Sequence, residues 1–324
     1  MKMMTTMALV CLMPGFLALA AESPEWLDGW SFSSDLRLRY EGTQFDQDNQ
    51  KNRNRGRFRL RLSAKKKIME ALSFEMRLAT GGGDPTSTNQ TFDDSFNGKD
   101  FYVDRAFIEY DYTDWTFGAG KLKNPFHTTD IVWDSDVNPE GLSQKYDNGN
   151  FYATFGEMLV EEESGGHDTN LIAAQVGLAK ADVYNLSASF YTYQGLTYNG
   201  DETDYQFLEG VGGIQLGPGD FTLTYVKNTT SDIEDEDTAY GAYYSFSNGA
   251  FKFDLKYAHI ELNSSLGRFS DSDFGGNDKE GFAAGCTYKA SKHVSWKLTF
   301  LSVDSIAAED LGFNKIQLDL KLKI

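Results

Sequence analysis

The last ten residues of the chain, Lys315 to Ile324, alternate polar and apolar without a break. In an extended strand successive side chains point to opposite faces, so this segment has one oily face and one charged face. The same pattern occurs near the other end, where Phe58, Leu60 and Leu62 interleave with Arg55, Arg57, Arg59 and Arg61. One such strand fits any half-buried sheet. A chain built from them almost throughout needs a continuous apolar surroundings on one side and water on the other. That is the situation of a closed antiparallel β-barrel with lipid outside and solvent inside.

The N-terminus predicts export. Lys2 supplies a positive start, Met7 to Leu19 an apolar stretch, and Ala18-Leu19-Ala20 a small-x-small cleavage signal before Ala21. The stretch is too short for a membrane helix. The expected organisation is a secretory signal over 1–20 and a single barrel domain over 21–324. Removal of the signal leaves Cys286 alone, so no intramolecular disulfide is expected. Its same-face neighbours Phe282, Ala284 and Tyr288 mark it as a small apolar residue facing lipid. A mean hydropathy of −0.45 excludes a helical membrane protein but not a barrel, in which only alternate residues meet lipid. A net charge of −18 argues against nucleic acid as a partner.

Sixteen strands are expected. They run near 31–41, 55–65, 71–80, 101–112, 114–122, 142–147, 150–160 and 170–180, then 182–194, 205–216, 220–229, 238–247, 250–262, 280–290, 294–304 and 314–324. Every second connection is short, with turn chemistry such as Asp147-Asn148-Gly149 and Ser247-Asn248-Gly249. The others are long and acidic: 42–54, 81–100, 123–141, 161–169, 195–204, 230–237, 263–279 and 305–313. Short turns on one rim and long loops on the other describe a transmembrane barrel with periplasmic turns and extracellular loops. Aromatics beside the short turns (Tyr112, Trp115, Phe221, Phe246, Phe251 and Trp296) fit an interfacial girdle. Two strands, 150–160 and 205–216, alternate poorly, which points to subunit contacts or a miscounted hairpin there.

At the third long loop the run Gly118-Ala119-Gly120-Lys121-Leu122 is followed by Lys123-Asn124-Pro125-Phe126, Trp133-Asp134 and Asn138-Pro139-Glu140-Gly141-Leu142. In these residues the chain resembles a family of outer-membrane porins of Gram-negative bacteria, and the likeness extends over the whole barrel. The resemblance implies an outer-membrane channel for passive diffusion of small hydrophilic solutes. It further implies a homotrimer, contact with outer-membrane lipid and lipopolysaccharide, and insertion by the barrel-assembly machinery. In sixteen-stranded porins the third loop folds into the lumen, its acids facing basic residues on the wall. By that likeness the basic wall would be Arg37, Arg39, Arg57, Arg59, Arg61 and Arg77, and the acidic loop residues Asp130, Asp134, Asp136 and Glu140. The competing reading pairs these arginines with Asp35, Glu41 and Glu75 within the wall itself. The general-porin Pro-Glu-Phe-Gly-Gly run is absent, and the chain ends in Ile324 where barrels usually end in an aromatic residue.

Other signals carry less. Gly81-Gly82-Gly83-Asp84 lacks the Lys and Ser/Thr of a phosphate loop. Ser270 to Asp278 lacks the ligand spacing and closing Glu of a calcium hand. The acidic run Asp232, Glu234, Asp235, Glu236 and Asp237 reads as solvated surface, or as a site gathering the divalent ions that bridge lipopolysaccharide. His127, His167, His259 and His293 show no zinc or nucleophile spacing, so no catalytic residues, metal or cofactor are expected. Two alternatives to a general porin stand: a substrate-specific channel for sugars or anions, and a non-conducting barrel whose surface loops bind a partner.

Overall fold

The structure is a computed structural model that describes residues 27–47, 49–93, 95–198, 201–230, 236–308 and 311–324. The expected signal 1–20 and Asp232, Glu234 and Asp235 of the acidic run lie outside the described residues.

The described residues form seventeen strands. They are β1 (Trp30–Phe45), β2 (Arg53–Lys67), β3 (Leu72–Thr80), the two-residue β4 (Gln90–Thr91), β5 (Phe101–Tyr112), β6 (Trp115–Lys121), β7 (Glu140–Asp147), β8 (Phe151–Glu161) and β9 (Thr169–Lys180). The remainder are β10 (Tyr184–Tyr198), β11 (Asp201–Leu216), β12 (Gly219–Asn228), β13 (Thr238–Asn248), β14 (Phe251–Ile260), β15 (Lys279–Lys289), β16 (Val294–Ser305) and β17 (Phe313–Lys323). β4 lies inside the second long loop and adds to β2 only through Arg57 and Phe58. The other sixteen pair antiparallel with their chain neighbours, and β17 pairs with β1 to close the barrel. Closure leaves no sheet edge unpaired, the condition for spanning lipid with strands. At the short-turn rim Ser34 and Ile324 exchange backbone hydrogen bonds of 2.9 Å, so the aliphatic terminus completes the ladder.

Alternation sorts the side chains as the sequence implies. Leu38, Tyr40, Leu223, Tyr225, Leu255, Tyr257, Trp296, Leu298 and Phe300 are exposed on the outside, while their neighbours Arg39, Glu41, Thr224 and Val226 are buried within. Tyr112, Trp115, Phe251 and Trp296 stand exposed beside the short turns, as a girdle requires. Cys286 sits in the outward row between exposed Phe282 and Tyr288.

The two poorly alternating segments contain no miscounted hairpin. β8 and β11 each run unbroken, but most of their buried inward residues are themselves apolar or aromatic: Tyr152 and Met158 on β8, and Tyr205, Phe207 and Val211 on β11. The reason is that loop residues cover them. Phe126, Ile131, Val132 and Trp133 of the third loop join Leu171, Tyr191, Tyr193, Phe207, Val226 and Ile260 in one buried cluster. The inner wall is thus divided, with an apolar half around β8–β14 and a charged half around β15–β5.

The third loop leaves the wall where β6 and β7 stop short. Gly120 and Gly141 face each other one pair before the ladder ends at Lys121–Glu140. Gly120 has φ +122°, and a Cβ there would lie 2.3 Å from the Ala106 carbonyl oxygen. A side chain at this position meets both left-handed backbone and an immovable neighbour. Gly120→Ala should cost about 1–3 kcal/mol, read as a lowered urea midpoint of the refolded barrel. Gly210→Ala, where a Cβ meets nothing within 4 Å, should leave the midpoint in place.

Candidate functional site

Three long loops converge on the inside of the barrel. The third is anchored along the apolar half by a succession of polar contacts. His127 N donates to Gln175 Oε1 (2.9 Å) and Thr128 Oγ1 to Glu209 (2.8 Å). Thr129 Oγ1 reaches Thr224 (3.3 Å), and Asp130 accepts from Tyr243 (2.6 Å) and Lys256 (2.9 Å). All five wall partners belong to inward rows, on β9, β11, β12, β13 and β14 in turn. The chain then crosses to the charged half, where Asp136 meets Arg61, and Asn138 Oδ1 accepts from Arg105 Nε at 2.6 Å.

The seventh loop is laced to the third. Asp134 N donates to Phe269 O (2.7 Å) and Asp271 N to Asp130 O (2.9 Å). The Ser265 and Ser270 hydroxyls both donate to the Ile131 carbonyl, at 3.1 and 2.9 Å. Asp271 shares Lys256 with Asp130 (2.9 Å each), and Asp273 pairs with Arg39 (2.8 Å). From the second loop, Asn89 Oδ1 accepts from Arg37 (2.5 Å), Ser87 from Arg57 (3.4 Å) and Thr88 from Arg61 (3.0 Å).

The six arginines inferred for the basic wall all lie on β1–β3. Arg39 forms ion pairs with Asp319 (2.7 Å) and Asp273, Arg59 with Asp35 (2.7 Å), and Arg57 more loosely with Glu41 (3.6 Å). Arg77 pairs with Asp104 on β5. Arg37 and Arg77 are buried. Of the four acids assigned to the loop, only Asp136 faces these arginines. Asp130 engages Lys256 on the opposite wall. Asp134 turns into its own loop and accepts from the Asp136 amide at 2.8 Å. Glu140 does not belong to the inward loop: it opens β7 on the face that carries exposed Leu142, and pairs with Lys121 at 2.6 Å. The wall carboxylates Asp35, Glu41 and Glu75 do take arginine partners, the last through Arg105 (3.7 Å).

Sequence reasoning missed Arg55, Lys256, Lys315 and Lys321 on the wall and Asp271 and Asp273 in the seventh loop. The strand residues share the inward parity of their neighbours, so alternation alone identifies them. The two aspartates lie in the run from Ser270 to Asp278, judged only as a calcium hand. Among the described residues no group of three His, Cys, Asp or Glu is arranged to hold a metal.

The charges of the loops are strongly perturbed. Burial raises the Asp136 carboxyl, but Arg61, Arg59 and Arg37 together outweigh it and hold it below the usual range. Asp273 behaves alike, its burial overcome by Arg39 and Lys315. Around Lys256, Asp130 is net lowered by that ammonium, whereas at Asp271 burial and the adjacent aspartates prevail and raise it. Asp134 has no cationic partner among the described residues; burial, with Asp271 and Asp136 nearby, pushes it up to about 7. His127 is lowered by burial and by Lys145.

Two cavities lie on either side of the joined loops. One of about 990 Å³ opens among the long loops and takes Trp133 and Asp136 from the third loop and Phe269 and Ser270 from the seventh. The other, about 330 Å³, faces the short-turn side and takes Asp130, Asp271 and Asp273 from the same loops, with Arg39, Lys256, Lys297 and Lys321 from the wall.

A closed sixteen-stranded antiparallel barrel with short turns, long loops and a charged interior defines an outer-membrane channel protein. The chain belongs to the family described as "Putative porin", whose model matches residues 47–209 and 219–324. No curated protein matches it. Among solved structures it is similar to OmpF of Salmonella typhi (TM-score 0.63, 10% identity, covering 91% of this chain and 97% of that one). It is also similar to a loop-deletion mutant of OmpT, an outer membrane protein of Vibrio cholerae (TM-score 0.59, 14% identity, 92% and 100% covered). A mutant Rhodopseudomonas blastica porin aligns at TM-score 0.57 with 11% identity, covering 91% and 100%. At these identities the likeness establishes the shared fold.

Loop packing should depend on pH through Asp134. The packed loop holds this proton with a pKa of about 7 against 3.8 for a solvated carboxyl, so its contribution is full at acid pH. It is lost as pH rises from near 4 through 7. Amide exchange of residues 129–137 should therefore show less protection at pH 8 than at pH 5. Asp134→Asn should retain more of the protection at pH 8.

Proposed function

We propose that the chain, after loss of residues 1–20, is a passive channel through which small hydrophilic solutes and ions cross the outer membrane, and that it performs no catalysis. The inward third loop, together with the seventh, would form the constriction. The observation that carries this reading is the path of the third loop: it is bonded to five strands of one wall and to Arg61 and Arg105 on the other, between the two cavities. A narrow, partly dehydrated passage screens charges poorly, so the side chains at this level govern which ions pass more than distant rim charges do.

Arg37, Arg39, Arg57, Arg59 and Arg61 form the basic side of the constriction, with Arg77 tied back to Asp104. Asp136 is its acidic counterpart from the third loop. Asp273 of the seventh loop, paired with Arg39, adds a second acid facing the arginines, while Asp271 joins Asp130 at Lys256 on the other wall. Assembly as a homotrimer is part of the proposal, supported by the trimer form recorded for Vibrio cholerae OmpT. So are insertion by the barrel-assembly machinery and contact with lipid and lipopolysaccharide, the latter supported by the exposed apolar outer face.

Refolded residues 21–324 in a planar bilayer should give stable open steps. Replacing residues 127–136 by a short Gly-Ser linker should raise the single-channel conductance several-fold, because it removes the material between the cavities. Inserted, correctly folded protein that never opens would overturn the channel reading and leave the surface loops as the functional part.

A further inference from the structure

We infer that the barrel interior carries a binding site for oxyanions, formed by Arg37, Arg59 and Lys321, so that solutes bearing a phosphate or carboxylate group are held during passage; this rests on the channel reading above.

The site follows from the register across the closing seam. Residues directly opposite one another on the inner face form rows over β17, β1 and β2: Lys323–Asp35–Arg61, then Lys321–Arg37–Arg59, Asp319–Arg39–Arg57 and Gln317–Glu41–Arg55. A fifth row, Lys315–Thr43–Arg53, follows in the same registers. Three of these five rows contain a carboxylate; of the two that contain none, Lys321–Arg37–Arg59 consists of three cations. Like charges placed directly opposite are destabilising. Sliding β17 by two residues would preserve which side chains face inward while setting Lys321 against Asp35 and Asp319 against Arg37. The adopted register instead concentrates three cations side by side.

Hydrogen bonding leads to the same place. Arg37 is 9% exposed, and among the described residues its guanidinium hydrogen-bonds only to the neutral Asn89. Its Nε lies buried with no acceptor among the described residues, as do those of Arg57, Arg59 and Arg61, and Arg59 Nη2 is committed to Asp35; Arg37 differs from these three in having no carboxylate partner. Buried N–H donors are ordinarily satisfied, and a bare guanidinium donor is costly. Neither Arg37 nor Lys321 forms an ion pair with a described carboxylate. An oxyanion supplies what is missing, because its oxygens accept several N–H groups at once in the forked geometry of a guanidinium.

The surroundings give access. Lys321 lines the 330 Å³ cavity on the short-turn side. Most carboxylates of that cavity are already engaged: Asp130 and Asp271 by Lys256, Asp273 and Asp319 by Arg39, and Asp254 by Lys252. They therefore repel an entering anion less than their number suggests, while Arg59 is matched by Asp35 and the row keeps Arg37 and Lys321 without an ion-pair partner among the described residues.

The test measures chloride current through refolded wild-type protein in a planar bilayer as potassium phosphate, or in a second arm succinate, is added at constant ionic strength. Saturable reduction of the current at millimolar anion is expected. The double variant Arg37→Gln/Lys321→Gln should raise the half-blocking concentration about tenfold or more and move the reversal potential towards cations. Block by phosphate but not succinate, or the reverse, selects which oxyanion class the site takes. Heat-modifiable migration on gels checks that the variant is folded, and Lys99→Gln in the second loop should behave as wild type. An open wild-type channel whose chloride current neither anion reduces, or a folded variant blocked equally well, overturns the site and leaves the channel reading intact. If the wild type inserts but never conducts, the channel reading fails. Calorimetric titration of phosphate into the detergent-solubilised protein then decides the site: binding lost in the variant supports it, and no wild-type binding overturns it.

Discussion

The pairing of β17 with β1 is the contact on which the rest of this molecule depends. In hydrocarbon an unpaired backbone N–H or C=O costs several kcal/mol, so a row of them along an open edge forbids a spanning sheet. The eleven residue pairs from Asp35–Lys323 to Phe45–Phe313 remove that edge. They also fix which charges meet inside, because register along the backbone is register of side chains. The hydrogen bonds demanded by lipid thereby dictate the electrostatics of the water-facing surface.

A second constraint comes from the unequal inner wall. Porin-like alternation asks only for polarity inside, yet β8–β14 turn Met158, Leu171, Tyr191, Phe207, Val226 and Ile260 inward. These side chains need a cover, and the third loop supplies Ile131, Val132 and Trp133, with Trp133 Nε1 donating to the Tyr193 hydroxyl at 3.1 Å. The loop position is thus set by apolar packing on one side and ionic contact on the other. Charge pairing alone, spread across solvent, is worth too little to hold a segment of this length; the buried cluster is the stronger anchor.

Much of this was legible in the sequence. Alternation located all sixteen barrel strands, and loop-length alternation oriented them, because both follow from local geometry that each residue expresses by itself. The inward arginines were legible for the same reason. What could not be read was where loop residues end up. Asp130, Asp134 and Asp136 all fall at even positions within seven residues, yet one meets Lys256, one its own backbone and one Arg61, since no periodicity governs an irregular chain. Glu140 was misplaced because the strand begins two residues earlier than its apolar pattern suggests. The seventh loop went unrecognised because its aspartates match no ligand spacing; their partners, Arg39 and Lys256, are brought in by the closing of the sheet.

The apolar half of the interior gives this barrel a thermal property that a fully wetted pore would lack. Detaching the third loop would expose Ile131, Val132 and the facing aromatic side chains to water, and exposing apolar surface raises heat capacity. The equilibrium between seated and released loop must then curve with temperature, its hydrophobic part weakening on cooling. Seating of the loop is thereby coupled to temperature through the same side chains that made two strands look irregular in the sequence.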